Sequence, residues 1–62
     1  MFIELKGMEE ESVIVCVEDI MAIYDKGEFR KICHKSFADI TCTRSTMKDI
    51  KRLLIDAMEN DG

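Results

Sequence analysis

The residue types in this chain that could do chemistry are three cysteines and a single histidine. Cys16, Cys33 and Cys42 are separated by 17 and 9 positions, whereas zinc-binding cysteines usually come in pairs about two to four residues apart. Cys33 and His34 are adjacent, and adjacent side chains on a strand point to opposite faces. The spacing therefore predicts no metal site and no bound cofactor, and it favours cysteines that act as small core residues.

The same residues offer one candidate catalytic pair, with Cys33 or Cys42 as the nucleophile and His34 as the base. Such a pair needs a concave pocket and a third group that orients the imidazole. We expect residues 1–62 to form one domain, and a domain of that length has little volume for a pocket. The three glycines lie far apart, so no glycine-rich phosphate loop is present. The sequence therefore predicts no catalytic residues and no enzyme.

The last third of the chain carries the clearest structural pattern, an α-helix with one apolar face. Its apolar residues recur at the three-and-four spacing of a helix. They are Met47, Ile50, Leu53, Leu54, Ala57 and Met58. Thr46 and Asp49 fit a capping box, and Ser45 is an equally good cap. We predict a helix over about 46–59, followed by turn-forming residues, with Leu54 at the centre of its buried face.

Short strands are predicted in the first 43 residues, where apolar and polar residues alternate or β-branched residues cluster. The predicted strands span 1–6, 12–17, 21–24, 29–34 and 37–43. The run 12–17 is apolar almost throughout, which is typical of a central strand covered on both faces. Along 37–43 the alanine, isoleucine and cysteine are expected to point inward and the threonines outward. The sequence thus predicts an α+β fold, a small antiparallel sheet of four to five strands packed against one C-terminal amphipathic helix.

Turn-forming residues separate these strands. Gly7 permits a positive φ at the start of an exposed, glutamate-rich loop, and Asp25 to Gly27 is a hairpin signal. Lys35 and Ser36 are expected to form a two-residue turn, with His34 exposed beside it. The segment 21–24 could instead belong to a short helix, but the hairpin signal that follows it favours a strand.

Charge is distributed unevenly along the chain, whose formal net charge is −4. Residues 1–28 carry −6, residues 29–55 carry +5, and the last seven residues carry −3. The basic half offers an alternative, nucleic-acid-binding face. It would consist of Arg30, Lys31, Lys35, Lys48, Lys51 and Arg52. The acidic total, with a pI near 4.8, argues against general attraction to a polyanion.

Association with another protein is the remaining class of function. A domain of this size is marginally stable unless a disulfide, a metal or a second subunit supplements its core. An odd number of cysteines, no signal peptide and no membrane-spanning run predict a reduced, cytoplasmic protein. With disulfides and metal disfavoured, we expect a homodimer or a tight complex with another protein. The candidate self-association residues are Tyr24 and Phe29, and packing of the helix around Ile55 is the competing site. The unpaired backbone groups of an exposed edge strand also favour pairing with a second copy. An acidic patch is the candidate partner-binding site, and it comprises Glu9, Glu10, Glu11, Glu18 and Asp19.

The order of these features resembles the small FlbD/SwrD-like proteins of flagellar gene clusters over nearly the whole chain. The resemblance consists of an opening strand 1–5, a valine-rich second strand, Val17, Ile20 and Ile23 at threefold spacing, and a closing helix led by Ser45. The chain is also similar to compact proteins of phages and prophages that bind a larger host protein. Both resemblances imply a non-enzymatic, partner-binding module.

We therefore predict a small, dimeric, cytoplasmic protein-binding module with a larger protein as its partner. Its most specific form is an inhibitor or modulator, encoded by a phage or mobile element, of a host protein assembly such as a defence system. A nucleic-acid-binding regulator and a flagellar accessory factor are the alternatives.

Overall fold

The computed structural model describes residues 1–59, which form five strands and one α-helix. In chain order these are β1 (Phe2–Lys6), β2 (Ser12–Cys16), β3 (Ile20–Asp25), β4 (Arg30–His34), β5 (Ile40–Thr43) and α1 (Met47–Glu59). A single 3-10 turn, Val17–Asp19, joins β2 to β3. The predicted α+β class is confirmed, and the strand predicted over 21–24 is present as β3. The strands divide between two antiparallel sheets, β1-β2 and β3-β4-β5.

The core lies where both sheets meet the helix. Its buried apolar side chains come from β1, β2, β4 and α1, and they are Ile3, Leu5, Val15, Ile32 and Ile50. On α1 the residue at the centre of the buried face is therefore Ile50, and the prediction of Leu54 was wrong. Leu54 is only partly buried and Met58 is exposed, because the helix lies mainly against the short strand β1.

A group of polar contacts joins the end of β1 to the end of β5. The Lys6 carbonyl accepts hydrogen bonds from Thr43 Oγ1 at 2.6 Å and from the Arg44 N–H at 2.9 Å. The Lys6 N–H donates to Ser45 Oγ at 3.0 Å, and the Ser45 N–H donates to Thr43 Oγ1 at 3.0 Å. These bonds connect the two sheets immediately before the helix begins, and they fix the direction in which α1 leaves β5.

The same contacts identify the helix cap. Ser45 Oγ is occupied by Lys6, whereas Thr46 Oγ1 accepts the Asp49 N–H at 3.1 Å. Thr46 is therefore the N-cap, as the first of the two predicted alternatives had it. The helix reaches Glu59, and the turn-forming residues predicted after it lie outside the described residues. None of the helices in residues 1–59 has the length and apolar character needed to cross a membrane.

Two strand predictions require correction. The run 12–17 was expected to be a central strand, but within residues 1–59 β2 pairs with β1 on one side and has an open edge on the other. The strand predicted over 37–43 begins at Ile40, and its faces are the reverse of those expected. Thr43 is fully buried and Ile40 is half exposed. Burial of Thr43 is compatible with its polarity because its hydroxyl both donates and accepts a hydrogen bond inside the protein.

The turns also differ in part from the sequence prediction. The hairpin at 25–27 is present: Gly27 has a φ of +93°, and its N–H donates to Asp25 Oδ1 at 2.9 Å. In the first loop the positive φ, +66°, falls on Glu10 instead of Gly7. The connection between β4 and β5 is a five-residue loop, 35–39, where a two-residue turn was expected.

Candidate protein-binding surface

The outer face of the three-stranded sheet is an apolar surface that the strand register assembles outside the core. Directly paired residues point to the same side of an antiparallel sheet. Cys33 on β4 is paired with Ala22 on one side and Ile40 on the other, and Lys31 is likewise paired with Tyr24 and Cys42. These six side chains therefore lie on one side of the sheet. We call this surface the sheet face, and it consists of Ala22, Tyr24, Lys31, Cys33, Ile40 and Cys42.

The rest of the fold leaves the sheet face open. Ile32, which alternates with Lys31 and Cys33 along β4, points to the other side and is fully buried against the core that includes α1. On the sheet face, Tyr24 and Ile40 are each 50% exposed, and the other four side chains are partly exposed. Because β1-β2 and α1 both pack on the inner side, no strand or helix among the described residues covers the sheet face.

The chemistry of the sheet face is apolar with one cation. Lys31 is its single charged residue, and the Lys31 ammonium lies 5.4 Å from the centroid of the Tyr24 ring. A cation at that distance is attracted to the negative face of the ring. An accessible aromatic residue surrounded by small apolar side chains and short of charge matches the composition found at the centre of protein interfaces.

The histidine lies on the opposite, inner side and is buried, so the expectation that His34 is exposed was wrong. Its Nε2 lies 2.7 Å from Thr41 Oγ1, and its ring stacks on Phe37 with centroids 4.3 Å apart. Cys33 and Cys42 belong to the sheet face. The structure therefore does not bring either cysteine together with the histidine, as a nucleophile and its base would require.

Asp19 lies beside the buried His34 ring. Asp19 Oδ2 lies 3.6 Å from His34 Nδ1, which is too long for a direct hydrogen bond. Asp19 instead accepts the Ser36 N–H at 2.9 Å and the Ser36 hydroxyl at 2.7 Å, and its carbonyl accepts the Lys35 N–H at 2.8 Å. These contacts tie the start of β3 to loop 35–39, and we assign Asp19 and His34 to positioning that loop.

The five acidic residues predicted as a partner site fall into two groups. Glu9 to Glu11 precede β2, and Glu18 and Asp19 follow it, so a five-residue strand of about 15 Å separates the groups. Glu18 accepts a hydrogen bond from the Met1 ammonium at 2.7 Å, and this bond lowers the pKa of the Glu18 carboxyl from its usual value. At the other end, Glu10 lies 3.7 Å from the Lys6 ammonium. Cationic groups of the same chain thus neutralise part of this acidic charge.

The candidate self-association residues are also distributed over different parts of the surface. Tyr24 belongs to the sheet face, and Phe29 is half buried beside the hairpin turn. Ile55 is 54% exposed on α1. Since α1 packs on the inner side of the sheet, Ile55 and Tyr24 do not share one surface.

The six basic residues proposed as a nucleic-acid face are similarly dispersed. Arg30 is buried on the inner side, with Nη1 3.3 Å from both Asp25 Oδ1 and the Gly27 carbonyl. Lys31 lies on the sheet face and Lys35 in the loop after β4. The exposed cations of α1 remain together on the helix, and they are Lys48, Lys51 and Arg52. The structure therefore groups three of the six residues.

No protein-family model, curated protein or solved structure matches this chain. Among residues 1–59, no three histidine, cysteine or acidic side chains lie close enough together to hold a metal ion. The sheet face was missed at the sequence level because Ile40 and Cys42 were assigned to the core. The alternation of side chains along 29–34 was a usable signal, because it correctly placed Lys31 and Cys33 on one face of the strand and Ile32 on the other.

Proposed function

We propose that this protein is a non-catalytic protein-binding module and that the sheet face is its contact surface for a larger protein. The observation that carries the proposal is the uncovered apolar side of the three-stranded sheet, with Tyr24 and Ile40 half exposed at its two sides. Apolar side chains on the surface of a small protein reduce its solubility, so a continuous group of them is typical of a binding site.

The chemistry of the sheet face defines the partner that fits it. Five of its six residues are uncharged, so the partner should present an apolar and fairly flat surface, such as the face of a helix or sheet. Lys31 adds a positive charge beside Tyr24. A carboxylate on the partner, placed near the Lys31 ammonium, would give the contact its orientation more than its affinity.

The proposal extends the predicted role in two respects. The module is homodimeric, which supplements a core of only five buried apolar side chains among the described residues. It acts by occupying a surface of the larger protein, as an inhibitor or modulator from a phage or mobile element would. The resemblance to compact phage proteins supports this last part of the proposal.

The test uses one substitution on the sheet face. Ile40→Lys introduces a charge at an exposed position, so it should leave the fold intact and disrupt binding. The tagged protein would be used to isolate partners from cells that express it, and a retained protein would then be purified and titrated by calorimetry. We expect the dissociation constant to rise at least about tenfold, which corresponds to about 1.4 kcal/mol.

Ile55→Lys is the matched control, because it makes the same chemical change at a similarly exposed position on the helix. The proposal predicts that Ile55→Lys binds the partner as the unmodified protein does. Equal binding by both variants would exclude the sheet face as the contact surface. Loss of binding in the control alone would assign the contact to α1.

A further inference from the structure

The composition of β2 does not match its place in the fold. Its residues Ser12–Cys16 include no charge, no proline and no glycine, and three of them are β-branched aliphatic residues. Such a sequence is typical of a strand with neighbours on both sides. In the structure β2 has β1 on one side and no strand on the other within residues 1–59.

The hydrogen bonds at both ends of the β1-β2 ladder show which backbone groups face the open edge. The Val17 N–H donates to the Met1 carbonyl at 2.8 Å, and the Gly7 N–H donates to the Glu11 carbonyl at 2.7 Å. Hydrogen-bonded and non-hydrogen-bonded pairs alternate along an antiparallel ladder. The pairs of β1 with Val13 and Val15 are therefore hydrogen-bonded, and the backbone of Ser12 and Ile14 points outward.

The contacts of Lys6 confirm this alternation independently. Lys6 is paired with Ser12 in the register, and its N–H and carbonyl bond to residues of the β5-α1 connection instead of to β2. Ser12 must then direct its own N–H and carbonyl to the opposite side, toward the open edge. Two strand positions, Ser12 and Ile14, thus present backbone groups that no described residue of the chain satisfies.

The edges of β3 and β1 are protected, whereas the edge of β2 is not. A bulge between Ile20 and Ala22 interrupts β3, and Asp25 adds a charge at its end. Bulges and charges are the usual devices that prevent an edge strand from pairing with another chain. The outer edge of β1 lies against α1 and the β5-α1 connection. β2 has neither of these devices, because its ladder with β1 has no register shift and its residues carry no charge.

We propose that β2 pairs antiparallel with β2 of a second copy of the chain, across a two-fold axis at Ile14. Ile14 is the middle residue of the strand, so the axis sets Ile14 opposite Ile14 and Ser12 opposite Cys16 of the second copy. The outward N–H and carbonyl of each Ile14 bond to those of its counterpart. The two hairpins become a continuous four-stranded sheet in the order β1-β2-β2-β1.

The side chains favour a second copy as the occupant. An antiparallel pair about a two-fold axis requires a strand that complements itself, and β2 does so because it is short and uncharged. Ile14 is 66% exposed, and the two Ile14 side chains would lie side by side on the same face. In the isolated chain this isoleucine contacts solvent, and in the dimer each covers the other.

This inference rests on the homodimer included in the proposed function, and it identifies the surface that forms it. A ladder of five residues per chain is a small interface, so we expect a dissociation constant in the micromolar range, about 1–100 μM. The sheet face is on the other sheet and remains free, so the dimer would present two copies of it to a partner.

Two measurements on the complete chain test the proposal. Sedimentation equilibrium under reducing conditions, from about 1 μM to about 1 mM, should show a monomer–dimer equilibrium. Ile14→Lys should raise the dissociation constant at least about tenfold, because it sets two ammonium groups beside each other at the axis. Ile55→Lys, the same change at a similarly exposed position on α1, should leave the equilibrium unchanged.

Amide hydrogen exchange distinguishes this surface from any other. On dimerisation the Ile14 amide should become protected, whereas the amides of Val13 and Val15 already bond to β1 and should change little. A dimer whose Ile14 amide exchanges as in the monomer would overturn the β2 pairing and leave the homodimer in place. A monomer at every concentration would overturn both, while binding through the sheet face would still be decided by Ile40→Lys.

Discussion

Among residues 1–59 the buried polar side chains are Arg30, His34 and Thr43, and each has a polar partner outside its own strand. The clearest case is Thr43, whose hydroxyl reaches the Lys6 carbonyl across 37 positions of the chain. Sequence patterns assign a threonine or a histidine on a strand to the wet face. Burial of Thr43 depends on a partner that is distant in sequence, so it could not be predicted from local alternation.

Thr43→Val tests the importance of that hydroxyl. Valine keeps the size of threonine but leaves the Ser45 N–H without its acceptor and removes one donor to the Lys6 carbonyl. We expect unfolding to become easier by about 1–3 kcal/mol, measured by urea denaturation. Thr43→Ser keeps the hydroxyl and removes one methyl group, at a cost of about 1 kcal/mol. A serine variant less stable than the valine variant would mean that packing outweighs the hydrogen bonds at this position.

At the scale of elements, the helix could be predicted from the sequence and the sheet only in part. Apolar residues recur every three or four positions, and Thr46 provides a cap. Both signals are local in sequence, so the position of α1 was predicted correctly. The faces of β5 were reversed because its apolar residues were assigned to the core, whereas the register sets Ile40 opposite Cys33 and Cys42 opposite Lys31 on the outer side of the sheet.

The helix offers a comparison between the residue found at its buried centre and the one expected there. Ile50 is fully buried between the sheets, and Leu54 is partly exposed. Ile50→Ala should reduce the free energy of unfolding by about 2–5 kcal/mol, which is a large part of the total for a small domain. Leu54→Ala should reduce it by less. Thermal and urea denaturation of both variants would check this order, and a larger loss at Leu54 would mean that the helix packs on a different face.

At the scale of the whole molecule, the two sheets have different proposed roles. The two-stranded sheet pairs with a second copy through β2, and the three-stranded sheet binds the larger protein through the sheet face. The two-stranded sheet is too small to be stable without neighbours, and a second copy would extend it to four strands. The three-stranded sheet is anchored by α1 on its inner side and is free on its outer side. Sequence composition indicated that β2 belongs in the middle of a sheet, and in the proposed dimer it does.

The charges near β2 lead to a prediction about salt. Pairing about Ile14 places the loop with Glu9 to Glu11 beside the turn Val17–Asp19 of the second copy, so acidic groups approach each other at both ends of the ladder. Each chain also carries a formal net charge of −4. Repulsion between the copies should therefore weaken the dimer at low ionic strength, and salt should screen it.

We expect the dissociation constant of the dimer to fall when the sodium chloride concentration is raised from about 0.1 M to about 1 M, as the screening length falls from about 10 Å to about 3 Å. Sedimentation equilibrium at both concentrations measures the change. Replacing Glu9 and Glu10 together by glutamine should tighten the dimer at low salt and reduce its salt dependence. Pairing between the acidic half of one chain and the basic half of another would respond in the opposite direction, because salt weakens attraction between unlike charges. The sign of the salt effect therefore decides between a dimer held by strand pairing against its own charge and a dimer held by charge complementarity.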